Sequence, residues 1–403
     1  MRLLVWIFLV LILGFLVYLG SLKPYREHLL YDVSVYYQRS LYFFEHASLK
    51  DVPNEYLPVV STYFILFSPA FFYSTSLDFF EKVFTIGNCA LLLLLGYFIK
   101  KAQGYWSVFL FGVLLLFTGP IVLYRFEVLV IIAMILAILY FKKHDYFSSA
   151  IFLSIGTLVK LYPLLLLPYF LILTFKQKGL KQAGIYLSVF LLTTAGLTLF
   201  YFIITQTSLN ELVFSLDFHK DKPVGLESPM GALHHLYQYL FSGLGAPIVA
   251  RHNTWGVDDA YLLLPMPILT YLWIIPVSGM YIWLLFSKTK NPSFVFIITF
   301  LSSFFIFSKL FTPQYWLWIL FLLPFLNLKK SKLTWAMIIF ASLATGITQF
   351  IYPLHYFDFL GFFYNENKDF EYLFWIYLVE IICMIITACL ALRLIIKTKT
   401  VEM

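Results

Sequence analysis

Apolar runs recur along almost the whole chain, and short polar or basic connections separate them. Hydropathy places the runs at about 3–20, 83–99, 105–119, 128–141, 147–160, 163–175, 183–205, 262–286, 293–308, 315–328, 333–351 and 372–396, which reads as about twelve membrane spans. Several hold only about 13 to 16 residues, fewer than the 17 or so a span needs, so some are expected to be thin, broken or re-entrant. The segment Tyr56 to Ser74 is apolar too, but Pro58 and Pro69 leave about ten residues between them. It is expected to be a short helix lying in the outer leaflet. The chain is 61% hydrophobic and 12% charged, against roughly 25% charged in a soluble domain. The fold class is therefore an all-α polytopic membrane protein. No Ser/Gly-rich tract, internal repeat or soluble-domain composition interrupts residues 1–403, so a single domain is expected.

Charge orients the bundle. Lys100 and Lys101, Lys142 and Lys143, Lys176, Lys178 and Lys181, Lys288 and Lys290, and Lys329, Lys330 and Lys332 fall in alternate connections. By the positive-inside rule those connections are cytoplasmic, and Arg2, Arg393, Lys397 and Lys399 bring both termini to the same side. Of 21 carboxylates, all but Asp145, Glu380 and Glu402 fall in or beside the opposite connections. Three of these are long: Ser21 to Leu57, Gln206 to Tyr261 and Tyr352 to Glu371, read as polar loops. Chemistry is expected on that extracytoplasmic face, and the plasma membrane is the expected location. The net charge of +7 is dispersed without a Lys/Arg tract, so nucleic acid is not an expected partner. Leu3 to Gly20 follows a single Arg2 and lacks an A-x-A cleavage signal, which reads as an uncleaved first span.

The stretch Gly156 to Pro168 carries the sharpest signal. Lys160 stands in an apolar segment, where a lysine at the centre of a bilayer helix costs about 2.5 to 3.5 kcal/mol and is kept with a partner, a wet cavity or a ligand. Pro163 has no N–H to donate and disfavours the helical region for Tyr162, so a helix is expected to end near Lys160 and another to begin at Pro163. Broken backbone at membrane depth lines a cavity or is buried in protein. The plainer alternative is a lysine snorkelling to the interface. Lys309 to Trp318 repeats the pattern: a lysine, then Pro313, Gln314 and an aromatic helix start. Two such lysines on one face favour an anion between them.

Four further constellations bear on chemistry. Asp32, in the first outer connection, is the candidate general base, with an ordinary solvated aspartate as the alternative. Glu55, ahead of Pro58, is its competitor. Arg125 either pairs with Glu127 or holds a phosphate through its planar fork. Phe218-His219-Lys220-Asp221-Lys222-Pro223 with Glu227-Ser228 gathers cations and carboxylates, as a phosphorylated sugar lipid would require; a solvated charge run is the alternative. The histidines His219, His234, His235 and His252, with Asp258 and Asp259, match no ligand spacing, and Cys89, Cys383 and Cys389 lie apart in apolar runs. No metal or other cofactor is implied.

At these residues the chain resembles the GT-C membrane glycosyltransferases, closest to the polyprenol-phosphomannose-dependent mannosyltransferases of the DUF2029 (GT87) type and more loosely to the catalytic subunit of GPI mannosyltransferase I. The resemblance spans most of the chain. It rests on Asp32, Leu57-Pro58, Arg125, V-K-L-Y-P (Val159 to Pro163), F-H-K-D-K-P-V-G-L-E-S (Phe218 to Ser228) and K-L-F-T-P-Q-Y (Lys309 to Tyr315). It implies a GT-C-like bundle and an inverting transfer of a hexose, mannose foremost, from a polyprenyl-phosphate donor. It further implies Asp32 as base, and a substrate-binding set of Arg125, Lys160, Tyr162, His219, Lys222, Glu227, Lys309 and Gln314. The acceptor would be a glycolipid, polysaccharide or protein glycan of the cell envelope. Three features depart from the family pattern: no Asp-x-Asp surrounds Asp32, His46-Ala47-Ser48 replaces the usual Gly-x-x-Pro-Tyr, and Lys222 stands where arginine is common. A polymerase or ligase of lipid-linked glycans and a non-enzymatic anion or lipid transporter are the rival readings.

Overall fold

Six helices, not about twelve, are long and apolar enough to cross a membrane among the described residues: Arg2–Ser21, Leu77–Gln103, Leu180–Thr205, Met266–Phe286, Lys332–Leu354 and Lys368–Lys397. The structure is a computed structural model that describes residues 2–50, 52, 55–328, 331–364 and 368–401, without the side chains of Leu216, His219 and 398–401. Of the charges used above, Asp51, Lys329, Lys330, Glu366, Glu402 and the Lys399 side chain lie outside that description. The remaining apolar runs fold into pieces too short to span. Tyr105–Thr118, Tyr146–Val159 and Phe294–Phe307 have 14 residues each, about 21 Å of helix against a hydrocarbon core of about 30 Å. Leu167–Lys178 has 12 residues, and the run 315–328 holds only the five-residue helix Trp316–Leu320 between 3-10 turns at Pro313–Tyr315 and Leu323–Phe325. Hydropathy counts apolar residues, whereas Gly119-Pro120, Pro163, Pro313 and Pro324 decide where helices stop.

The long helices carry their lipid-facing character on the outside. Leu192 is 73% exposed, Ile203 70% and Phe286 87%. Apolar surface on that scale is costly in water and ordinary against acyl chains. The architecture is all-α, and its six long apolar helices suggest a multi-pass membrane protein. One small antiparallel sheet is added, in the order β1 (Val224–Gly225), β3 (Thr254–Val257), β2 (Ile248–Arg251).

The first long connection, expected to be a polar loop, is helical. Lys23–His46 forms a 24-residue helix that starts with Pro24 in its first turn and ends at Ala47, whose left-handed conformation lets its N–H bond Phe43 O at 2.8 Å. Leu29, Val33, Tyr36 and Ser40 are buried at helical spacing, so the helix lies on the bundle by one face. The Pro58-led helix is short, as expected: Pro58–Ile65, followed by a 3-10 turn at Ser68–Phe72. The long connection 206–261 holds the helices Leu209–Lys220 and Pro229–Ser242 as well as the sheet, and Tyr356–Tyr364 is a helix in the third.

Two helices position the candidate site. Glu127–Lys142 and Tyr146–Val159 form a hairpin, turned by His144 in the left-handed region and capped by Asp145, whose side chain accepts from Ser148 N at 3.0 Å. With 16 and 14 residues, they bring the start of the first level with the end of the second. Arg125 is extended just before the first (φ −124°, ψ 153°), and Lys160 is extended just after the second (φ −156°, ψ 143°). The helix expected to end near Lys160 does so, its last residue being Val159, and Tyr162 with Pro163 opens a 3-10 turn that leads into Leu167–Lys178.

Candidate active site

Asp32 sits near the middle of the Lys23–His46 helix with its side chain 23% exposed, and it forms an ion pair with Arg125 Nη1. The extended backbone at Arg125 turns that side chain away from the helix that follows and towards Asp32. Arg125 Nη2 also donates to the Tyr352 hydroxyl at 3.3 Å, and Tyr36, one helical turn beyond Asp32, accepts a further bond from Arg125. Arg125 Nε is buried with no acceptor among the described residues. Arg125 does not pair with Glu127, the alternative its sequence context allowed.

Glu127 is fully buried and belongs to Lys160. Its Oε1 lies 2.5 Å from Lys160 Nζ, and its Oε2 accepts from Trp318 Nε1 at 2.6 Å, so both carboxylate oxygens are taken. The Lys160 ammonium lies over the rings of Tyr315 (4.6 Å), Trp318 (4.9 Å) and Phe126 (5.4 Å). Ring quadrupoles stabilise a cation that has left water, and the buried carboxylate neutralises it. Tyr162 stacks on Trp318 with centroids 3.6 Å apart and closes the cage from the chain side.

Lys222 approaches from the connection before β1. Its ammonium lies 4.9 Å over the Phe218 ring, and it is within electrostatic reach of Glu55, Lys160 and Asp32. Burial pulls its pKa below the ordinary lysine value, with the Lys160 charge adding to that and the two carboxylates opposing. Lys309 plays a different part. Its ammonium donates to the carbonyls of Lys220 at 2.6 Å and Lys222 at 2.9 Å, while Gly225 N donates to its carbonyl at 2.8 Å. It pins the backbone that presents Lys222. Gln314 is half-buried on the 3-10 turn beside Tyr315. The His219 side chain lies outside the described residues.

Glu55 is half-buried ahead of the Pro58 helix, and Ser215 Oγ donates to its backbone carbonyl at 3.1 Å. It shares its surroundings with Arg39, a buried guanidinium 5.6 Å over the Tyr56 ring that also interacts with Tyr201. Arg39 lies two helical turns from Asp32 on the same helix. Reading the segment as a loop hides this residue; the helical spacing of Leu29, Val33, Tyr36 and Ser40 is the signal that places it on the inner face. Glu227 is hydrogen-bonded to Tyr356, which contacts Tyr352 edge-on at 5.0 Å. Burial pushes the Glu227 carboxyl up to about 7, against the bond from Tyr356.

The structure therefore brings Asp32, Arg125, Lys160, Lys222 and Glu55 to one end of the hairpin. It joins Glu227 to them through tyrosines and gives Lys309 to the supporting backbone. Among the described residues, no three His, Cys, Asp or Glu side chains gather as a metal site. Chemically, this is a partly exposed carboxylate among several cations, walled by aromatic rings. Comparison of the chain with models of known protein families and with curated proteins gives no match.

Proposed function

We propose that the protein is a membrane hexosyltransferase of GT-C type that uses a polyprenyl-phosphate sugar, with mannose the first sugar to test. The observation that carries this reading is the convergence of the Asp32 carboxylate with Arg125, Lys160 and Lys222 at one end of an apolar helical bundle. In the reaction, Asp32 takes the proton of an acceptor hydroxyl, whose oxygen attacks C1 of the sugar. The C1–O bond to phosphate breaks as the new glycosidic bond forms on the opposite face, which inverts the anomeric centre. The polyprenyl phosphate leaves with an added negative charge.

That charge grows in the transition state, so fixed cations at its position lower the barrier more than they strengthen ground-state binding. Arg125 is held by Asp32, Tyr36 and Tyr352, which fixes its positive charge beside the proposed base. Lys222 is partly desolvated, and Lys160 keeps two of its three N–H bonds after Glu127 takes one. Tyr162, Glu227 and Gln314 would shape the sugar subsite. The lysine distribution puts the termini in the cytoplasm and this site on the extracytoplasmic face of the plasma membrane. The acceptor is a glycolipid, polysaccharide or protein glycan.

The test is incubation of purified protein with radiolabelled mannosyl and glucosyl polyprenyl phosphates and a membrane glycan fraction. Label passing to the glycan with loss of polyprenyl phosphate supports the reading. Label moving only from a lipid-diphosphate oligosaccharide would assign the protein to the polymerase or ligase class. Exchange of the intact phosphosugar across liposomes would assign it to transport.

A further inference from the structure

At the opposite end of the Glu127–Lys142 helix, about 22 Å from Glu127 by helical rise, the chain forms a half-open polar cavity of about 340 Å³. Lys142, Lys290, Asn291 and Asn327 line it together with the rings of Tyr169 and Phe294. It mixes ammonium and amide groups with an aromatic floor. The Lys142 ammonium lies 4.6 Å over the Phe294 ring, so its charge stands at the cavity wall. Tyr169 and Phe294 are buried, and the Tyr169 hydroxyl accepts from Ser293 N at 2.7 Å, which fixes the entry to the helix Phe294–Phe307. The segment carrying Lys290 is held as well: Lys176 donates to the carbonyls of Leu284 and Ser287, and Gln177 donates to the carbonyl of Lys290.

Its place relative to the spans narrows the ligand. Two candidate spans end beside it, Met266–Phe286 immediately before the lining residues 289–296, and Lys368–Lys397 just past the lining residue Ile395. The cavity therefore lies where apolar helix surface gives way to polar connections. The exposed side chains Ile282, Leu285 and Phe286 run along the neighbouring span up to that boundary. An anionic head with an apolar tail fits both halves of the surroundings. A volume near 340 Å³ suits a phosphodiester headgroup, at the lower end of the usual small-molecule range of about 300 to 1,000 Å³.

We propose that this cavity binds a phosphate group, separate from the Asp32 site, and that the group belongs to an anionic phospholipid of the leaflet facing the lysine-rich end. Basic pockets between membrane helices select such headgroups by charge, and each ammonium lost there weakens binding on the order of fivefold. The full-length protein in neutral detergent is mixed with phosphatidylglycerol, phosphatidylcholine or inorganic phosphate, and retained ligand is counted by native mass spectrometry. The wild type should keep phosphatidylglycerol and not phosphatidylcholine. The double variant Lys142→Gln/Lys290→Gln should bind phosphatidylglycerol about tenfold or more weakly, whereas Lys100→Gln/Lys101→Gln, with the same charge loss in another connection, should bind as wild type. Helix content by circular dichroism shows whether the variants are folded, and the single variant Lys290→Gln, at an exposed position, serves if the double variant is not. Failure of millimolar inorganic phosphate to displace the lipid supports a lipid headgroup as the source. Ready displacement supports the phosphate site and overturns its assignment to lipid. Equal retention of both lipids, or undiminished phosphatidylglycerol binding by the folded Lys142 and Lys290 variants, overturns the proposal.

Discussion

Glu127 Oε1 and Lys160 Nζ lie 2.5 Å apart although 33 residues separate them in the chain, because a hairpin of two nearly equal helices brings its two ends level. Glu127 has no exposed side-chain surface, and its second oxygen is taken by Trp318. The pair thus fixes both the register of the hairpin and the position of the lysine at the end where Arg125 precedes the first helix.

Removing one partner of a buried pair leaves the other charge uncompensated, at a cost of about 3 to 5 kcal/mol. Lys160→Met should therefore lower the unfolding temperature of the purified protein markedly, and the double variant Glu127→Gln/Lys160→Met should recover much of the loss. Thermal unfolding in detergent measures both. An unfolding temperature unchanged by Lys160→Met alone would remove the structural role and leave Lys160 to the substrate.

That pairing is within reach of the sequence. A break at Lys160, a turn near His144 and a helix start near Glu127 all have local signals, and matching the two helix lengths joins their ends. Hydropathy alone does not yield helix length, since an apolar run of 14 residues scores like part of a span. The Lys23–His46 helix is hidden differently. Its charged residues suggest a loop, while Leu29, Val33, Tyr36 and Ser40 mark one buried face at spacings of four, three and four. The Asp32–Arg125 contact has no sequence signal beyond residue type, because it joins two elements through the packing of the bundle.

The exposed residues Ala260 and Lys101 allow the orientation to be read directly. In a background with Cys89, Cys383 and Cys389 replaced by serine, Ala260→Cys should react with an impermeant thiol reagent added to intact cells. Lys101→Cys should react only after the membrane is opened. Labelling of Lys101→Cys in intact cells, without labelling of Ala260→Cys, would invert the orientation and place the Asp32 site in the cytoplasm.

Glu227 makes stability depend on pH in a definite direction. Its carboxyl is raised from an ordinary 4.5 to about 7, so the unfolded chain releases this proton more readily than the folded protein does. Its contribution is complete below pH 4.5 or so and is lost as the pH rises through about 7. The loss is on the order of 3 kcal/mol, since a tenfold change in proton affinity corresponds to about 1.4 kcal/mol. Between pH 5 and 8 the unfolding temperature should fall further for the wild type than for Glu227→Gln. Parallel profiles would mean that the Glu227 carboxyl is not held out of water.

Asp32 is the residue on which the proposed chemistry turns, and its contact with Arg125 shapes the test. Asparagine keeps the size and an oxygen for Arg125 but cannot accept a proton, so Asp32→Asn should lower transfer by about 100-fold or more, as expected of a general base. Donor binding should persist, because Arg125, Lys222 and Lys160 remain. Asp32→Glu should recover only part of the rate, since one methylene moves the carboxylate by about 1 Å and a displacement of that size can cost 10²-fold. Arg125→Lys separates the two roles. A lysine keeps the charge beside Asp32 but loses the planar fork, so the KM for the donor should rise while kcat falls. Glu55 is the other carboxylate in reach of Lys222, and Glu55→Gln should leave turnover within a few-fold of wild type. Transfer assays on folded variants decide between them: normal turnover in Asp32→Asn beside an inactive Glu55→Gln would move the base to the mouth of the Pro58 helix and leave Asp32 as the partner that holds Arg125.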